Sequence, residues 1–574
     1  MIKEYLQLKF IIISIIIFIS LVLIIKYYNN MYFTPIDNEK CKNNINSIIN
    51  KDSCQNESID DNLDYEYIII GSGPAGLQAG YFLEKYKKKY VILEKSSNVG
   101  DFFKKYPIHR KLISINKVYT GTDNKEFNLR HDWNSLLSDD DSLLFKNYSK
   151  EFYPKADTMV EYLNDFYKKN KLNILFNFEV RKINKVNENE FSIIGNNVEI
   201  KSSKLIVAAG MFKPHKLNID GSISYTQLTT DKSKFKNKNV MIIGQGNSAF
   251  ETADYLTDTA AIIHIYGRGP LKFAWQTHYV GHLRAVNNNF LDTYQLKTQN
   301  GMSGFDDNEV VIKNNGKYFC YDKDSETVDE QNPKNGYDFV IDCTGFMLDT
   351  SIFGNIKPEH NDKVPLINSN FESVNISNLF FAGVLSQHIA YKKSSGAFIH
   401  GFRYLIRTMI NLQTNNLTIN RFNKSDLDGL LNKILDRINN GSGIFQMFGC
   451  LVDLIVFDDN EIIYIEEIPI KLFEEKYRNC NYKYLVISLN YGNFGGVIVN
   501  TRSLGDASYV FGEDRAIGSN PENAHLSNFL HPILKLYHKS FLIKEFHMSE
   551  HLMTEFKLKD VHIKPLKKFL ITLQ

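Results

Sequence analysis

Tyr65-Glu66-Tyr67-Ile68-Ile69-Ile70-Gly71-Ser72-Gly73-Pro74-Ala75-Gly76 decides the fold. The apolar run to Ile70 predicts a buried strand, the glycines a tight turn, and Leu77 to Lys88 a helix. Each glycine has its own task. Gly71 permits the turn, Gly73 lets backbone approach a pyrophosphate, and Gly76 lets helix pack on strand, with Ser72, Pro74 and Ala75 completing the phosphate loop. A second strand, Tyr90 to Leu93, ends in Glu94, 23 positions after Gly71 and followed by Lys95. A carboxylate there accepts hydrogen bonds from the ribose hydroxyls of a dinucleotide.

The same unit recurs. Val240 to Ile243 predicts a strand, Gly244-Gln245-Gly246-Asn247-Ser248-Ala249 a turn, Phe250 to Leu256 a helix, and Ile262 to Tyr266 a second strand. Counting 23 positions from Gly244 reaches Gly267, followed by Arg268, so a guanidinium stands where the first unit has an acid. Arginine pairs with a 2′-phosphate that a carboxylate would repel, which favours NADPH over NADH. Three more apolar strands end in small residues: Leu205 to Gly210, Phe339 to Gly345 and Leu379 to Gly383. They suit crossings between two dinucleotide units, with Gly383 approaching the cofactor and a helix near Ser395 to Ile410 aimed at it.

The fold class expected is therefore α/β, with two Rossmann-like domains, the second inserted in the first. The boundaries expected are 64–230 and 346–412 for an FAD domain, 231–345 for an NADPH domain, and 413–574 for a C-terminal mixed α/β domain. In that last domain Leu427 to Ile438 predicts a helix, and Glu461 to Ile470 and Tyr484 to Leu489 predict strands; Lys564 to Lys568 has the character of a solvated tail.

Composition narrows the function. The 574 residues carry 67 Lys+Arg against 65 Asp+Glu, a balance that argues against nucleic acid as a partner. The 43% hydrophobic content is that of a folded chain. Six cysteines, at 41, 54, 320, 343, 450 and 480, include no C-x-x-C or C-x-x-x-x-C pair, which removes an internal redox-active dithiol and a zinc ribbon; no metal is expected. Cys41 and Cys54 suit either a small disulfide loop or two free thiols, and Cys343 a buried one.

Phe10 to Ile25 is an apolar run broken only by Ser14 and Ser20, with Lys3 and Lys9 before it and no small-residue cleavage site after it. Residues 1–30 are expected to form a signal-anchor, with a cleaved signal peptide as the alternative, and 31–63 a polar linker. The charge bias puts the body of the chain in a lumen. Six N-x-[ST] sequons, at Asn56, Asn147, Asn375, Asn416, Asn423 and Asn440, are compatible with one.

The order of these motifs resembles the class B flavin-containing monooxygenase superfamily, which implies FAD in the first unit and NADPH in the second. Val99-Gly100-Asp101-Phe102-Phe103 is similar to that superfamily's stretch over the flavin, and Asn116 falls where it places an asparagine beside the reactive flavin edge. Its F-x-G-x-x-x-H stretch is missing: Asp220 to Thr229 holds no histidine. A closer resemblance is to the FAD-dependent oxidoreductase domain-containing flavoproteins of endoplasmic-reticulum-associated degradation. It rests on residues 106–117, 127–137, 277–281, 292–297 and 396–404, with weaker likeness near 443–448 and 526–532. That family implies an endoplasmic reticulum flavoprotein in disposal of misfolded glycoproteins, partnered by lectin-like and reductase components. The end Ile571-Thr572-Leu573-Gln574 departs from a KDEL-like retrieval signal, so retention is expected from the anchor.

The chemistry expected is hydride transfer from NADPH to FAD, then to an acceptor outside the chain. Asn116 is the candidate catalytic residue; His131, His278 and His400 are candidate proton donors or packing residues; Trp275 and Tyr279 are candidate stacking partners. Two alternatives stay open: a flavin monooxygenase acting on a small molecule, and a non-enzymatic flavoprotein scaffold.

Overall fold

The computed structural model describes residues 63–573 apart from 212, 230, 278, 294–299, 306, 362, 493–520, 528 and 550–554. The anchor, the linker up to residue 62, Cys41, Cys54, Asn56 and His278 lie outside the described residues. No helix among the described residues is long and apolar enough to cross a membrane.

The first sheet grows from β1 (Tyr65–Ile70), whose Tyr67, Ile68 and Ile69 are fully buried. From Tyr67 on the strand is covered on both faces and apolar, which is why alternation marks only its first residues. Helix α1 (Pro74–Lys85) follows Gly73, with proline in its first turn, and packs Ala75 to Leu83 inward. Strand β2 (Tyr90–Leu93) pairs parallel to β1, Ile68 opposite Val91. A short helix, α2 (Asp101–Lys105), and β3 (Val198–Val207) follow. Strand β3 is long enough to pair in two ways within this seven-stranded sheet: residues 202–207 lie parallel to β1 while 198–202 pair antiparallel with the strand Glu190–Gly195.

Five parallel strands make the second sheet. Their segments fall in the chain between β3 and the strand Leu379–Phe381, which returns to pair with β3. At the centre is β4 (Asn239–Ile243), followed by helix α3 (Asn247–Leu256) and β5 (Ile262–Gly267), with Val240 opposite Ile263 on one side and Phe339 on the other. Val240, Ile242, Ala249, Phe250, Ala253 and Ile263 form its core, and burying each larger apolar side chain is worth about 1.5–3 kcal/mol.

A six-stranded antiparallel sheet occupies the C-terminal part. Along Glu461–Pro469, Ile462 and Tyr464 face one core while Ile463 and Ile465 face another, the period-two pattern of a sheet covered on both sides. Helix Leu427–Asn440 lies on the first of these cores, and so does Lys564–Ile571. The lysine cluster read as a tail therefore belongs to a docked helix with Leu566, Phe569 and Leu570 buried.

Buried ionic groups fasten this part to the first. Helix α4 (Ile399–Thr414) sends Arg407 to Glu467 (2.5 Å), which also holds Arg437 (2.9 Å); Arg437 grips Asp453 through two hydrogen bonds, at 2.7 and 3.1 Å. Breaking such a network from one side leaves an uncompensated charge, costing roughly 3–5 kcal/mol.

Candidate functional site: two dinucleotide turns

Gly71 has φ +98°, and a Cβ there would lie 2.9 Å from the Ala208 carbonyl oxygen. Gly244 has φ +129°, with its would-be Cβ 2.4 Å from the Cys343 carbonyl oxygen. Both first glycines are thus demanded by the chain itself, which turns left-handed against a neighbouring strand end.

The second glycines are different. Gly73 (φ −70°, ψ −178°) and Gly246 (φ −92°, ψ −175°) have extended backbone that any residue adopts. A Cβ built on either meets nothing within 4 Å. Neither conformation nor crowding within the protein calls for glycine; each leaves open space at the N-terminus of a helix, where a pyrophosphate accepts backbone N–H groups. Gly76 closes the first turn, since a Cβ there would stand 1.8 Å from the Gly71 carbonyl oxygen; Ala249 fills the equivalent place in the second, fully buried.

The two acidic positions also diverge. Glu94 is buried, and its Oε2 accepts from the Ser72 backbone N–H (2.8 Å) and hydroxyl (2.7 Å) while Oε1 accepts from the Ser96 N–H (2.8 Å). Carboxylate oxygens have lone pairs to spare for ribose hydroxyls. Lys95 beside it is exposed. Arg268 is largely exposed, with a loose 3.6 Å pairing to Asp307, so its guanidinium can turn to a phosphate. The Gln245 side chain lies across Gly267, its Cγ 1.8 Å from where a Cβ would be, so a larger residue there needs that side chain to move.

Gly383 (φ +71°) brings the end of Leu379–Phe381 against α1, its would-be Cβ 2.6 Å from that of Ala75. Phe102 and Phe103 lie on α2 edge to face at 5.2 Å, Phe103 packing into the first core and Phe102 remaining partly exposed. Asn116 is buried; its Nδ2 donates to the Ser149 carbonyl (2.8 Å) and to the Glu151 carbonyl (3.4 Å), which uses both its hydrogens and leaves only Oδ1 without a partner. As a flavin contact it can therefore accept but not donate.

Asn247 does not offer its side chain to a phosphate. Its Oδ1 accepts from the Arg284 N–H (3.0 Å) and its Nδ2 donates to the His282 carbonyl (2.9 Å), pinning that loop. Arg284 then sits over the Trp133 ring at 4.9 Å, and Trp133 stacks on His400 at 4.2 Å. His400 is buried, neither ring nitrogen has a partner, and burial with the charges of Arg403 and Arg284 pushes its pKa well down. It is a neutral ring in an aromatic stack completed by Phe398. Tyr279 leans on Phe398 at 6.3 Å, whereas Trp275 is exposed beside Phe273; the two do not form a joint stacking surface. His131, half-buried, packs against Phe127, its pKa lowered chiefly by burial.

A pyridine nucleotide-disulphide oxidoreductase family model matches residues 68–383. Over 88% of its length the chain is 36% identical to FAD-dependent oxidoreductase domain-containing protein 2 of Danio rerio and 35% identical to that of Mus musculus, covering 83% of each. The chain belongs to this FAD-dependent oxidoreductase family. Among solved structures, a flavin-containing monooxygenase from Stenotrophomonas maltophilia is similar at TM-score 0.45 and 16% identity, over 62% of this chain and 98% of that one.

The first turn of this flavoprotein oxidoreductase fits FAD: Gly71, Ser72, Gly73, Pro74, Ala75 and Gly76 would cradle its pyrophosphate, Glu94 would accept from its ribose, and the unpartnered Oδ1 of Asn116 is left to accept a hydrogen bond. FAD supplies a hydride acceptor that can pass electrons onward.

Sequence reasoning missed what holds the site. Arg130, Asp132, Asn134 and Ser135 are all buried. Arg130 donates to the Ile438 and Gly441 carbonyls at the C-terminal end of their helix, and Arg403 on α4 donates to the Ser135 and Leu129 carbonyls at 2.6 Å each. These stretches were legible only as a resemblance, because buried polar hubs have no period. Also unforeseen, Glu309, Cys320 and Asp329 lie with ligand atoms within 4.8 Å of one another. Burial, then the two carboxylates, push the Cys320 thiol up to about 12 and keep it protonated.

Proposed function

We propose that this enzyme takes hydride from NADPH bound at the second turn, reduces FAD held at the first, and passes the electrons to an acceptor outside the chain. The observation that carries the reading is Gly246: an open extended glycine at the start of α3 repeats Gly73, while Arg268 replaces the acid. In this reading residues 231–345 are the NADPH domain inserted between FAD segments 64–230 and 346–412. The described free thiols support an outside acceptor, since Cys320, Cys343 and Cys450 are all buried and protonated and none is a near neighbour of another in sequence.

The setting proposed is the endoplasmic reticulum lumen, with residues 1–30 as membrane anchor and 413–574 as the surface that meets lectin-like and reductase partners handling misfolded glycoproteins. Cys480 is disulfide-bonded, which suits an oxidising compartment, and the sequon residues Asn147, Asn375 and Asn423 are exposed. Glycosidase treatment of protein from secretory cells should shift its mass; no shift would count against the lumen. A chain lacking residues 1–30 behind a cleavable signal should leave the organelle, and its retention would overturn the anchor.

For the chemistry, the FAD-loaded protein is mixed with NADPH or NADH without oxygen. Bleaching of the flavin band by NADPH and far slower bleaching by NADH is the expected result. A flavin that neither nucleotide reduces would leave the scaffold reading.

A further inference from the structure

The loop after α2 belongs to the first unit at both ends and to the second in its middle. Phe103 packs into the first core and its carbonyl accepts from Arg110 Nη2 at 2.5 Å; the Arg110 carbonyl accepts from the Ala156 N–H (2.9 Å) and the Leu112 N–H donates to the Pro154 carbonyl (2.8 Å). Between those anchors Ile108, buried, enters the core of the second sheet beside residues such as Phe235, Val240 and Phe250. Tyr106 stacks on Tyr225 at 5.5 Å and donates to the Thr226 carbonyl at 3.2 Å.

One buried carboxylate ties the insertion in place. Glu251 lies on α3, two residues beyond Ala249 of the phosphate turn, and its Oε1 accepts from the Ile108 N–H at 2.7 Å and the Tyr225 hydroxyl at 2.8 Å. Next to Ile108, His109 meets Asn287 at 3.4 Å, and Asn287 donates to Asn247 of the same turn at 3.0 Å. Helix α3 of the second turn is thus bonded to the loop that follows Phe102 and Phe103 of α2.

We propose that Glu251 is a positioning residue: it holds the NADPH-binding helix in fixed register with the loop flanking the flavin, so that the nicotinamide arrives aligned for hydride transfer. The inference rests on the NADPH reading above. Glu251 touches neither dinucleotide in this account; it acts through Ile108 and through α3. Misplacement of reacting rings by about 1 Å slows a step by about a hundredfold, so the effect belongs on the rate and not on binding.

The test follows anaerobic flavin reduction in the FAD-loaded full chain over a range of NADPH concentrations, alongside amide hydrogen exchange. Glu251→Ala should lower the limiting reduction rate at least about tenfold with the NADPH dissociation constant within about twofold. Glu251→Gln keeps an accepting Oε1 and should restore most of the rate. In Glu251→Ala the Ile108 amide should exchange faster while Val240 to Ile243 remain protected. Reduction by Glu251→Ala at the unaltered rate overturns the proposal, and so does a loss of flavin and of β4 protection along with the rate, which would mark a merely structural residue. If the unaltered protein is not reduced by NADPH, it is the NADPH reading that fails, and the proposal falls with it. The exchange result then reports separately whether Glu251 joins the two units.

Discussion

The two turns share a backbone and differ in everything that reads the ligand. Both press their first glycine against a neighbouring carbonyl and leave the second open. Beyond that, the first turn ends at a carboxylate buried and braced by Ser72 and Ser96, and the second at an arginine that is mostly solvated. A braced acceptor suits a cofactor held through many turnovers; a solvated guanidinium suits a co-substrate that comes and goes, since an exposed pair contributes only about 0–1 kcal/mol until a phosphate docks. Under the proposed function, this difference is what would separate a resident flavin from a visiting nucleotide.

Removing the braced acid should give the largest effect. Glu94→Ala loses the ribose acceptor and the Ser72 and Ser96 bonds together, and should weaken FAD about a hundredfold in an apoprotein titration. Unaltered flavin affinity would mean that Glu94 only shapes the turn. Arg268→Ala should weaken NADPH about tenfold and leave NADH and FAD unchanged, measured by reduction kinetics and flavin content. Equal loss for both nucleotides would remove the 2′-phosphate role.

The smallest effect concerns pH. His400 is held neutral when folded, with a pKa well below the ordinary 6.5, whereas in the unfolded chain it protonates near 6.5. Its contribution to stability is therefore whole above that value and lost as pH falls through it, at up to about 1.4 kcal/mol per pH unit. His400→Phe keeps a stacking ring on Trp133 and removes the titration, so the drop in unfolding temperature between about pH 7.5 and pH 5.5 should shrink. An unchanged drop would assign that pH dependence to other groups.

Legibility followed the same line. A dinucleotide constrains residue type through backbone geometry, so both turns could be read from spacing; the helix expected from Leu77 begins at Pro74, and Tyr90 to Leu93 needed no change. Asn247 shows where spacing stops informing: its place in the turn was readable, its use in pinning the 281–284 loop was not. The C-terminal sheet was half visible. Glu461–Pro469 and Lys483–Asn490 could be read as strands, but His531–His538 and Phe541–His547 carry polar residues that blur alternation. In Lys564–Ile571 the lysines hid Leu566, Phe569 and Leu570, an apolar i, i+3, i+4 stripe. Glu251 carried no signal at all, because its partner Ile108 lies 143 positions away.

The central claim is that two open glycines mark two different dinucleotides. Valine at either position meets no protein atom at Cβ and suits the extended backbone, so Gly73→Val and Gly246→Val should both fold. The decisive measurement is flavin content and anaerobic reduction by NADPH in each. Gly73→Val should lose its flavin, whereas Gly246→Val should keep it and resist reduction. A Gly246→Val protein that is reduced as fast as the unaltered one, or that loses its flavin, would contradict the account.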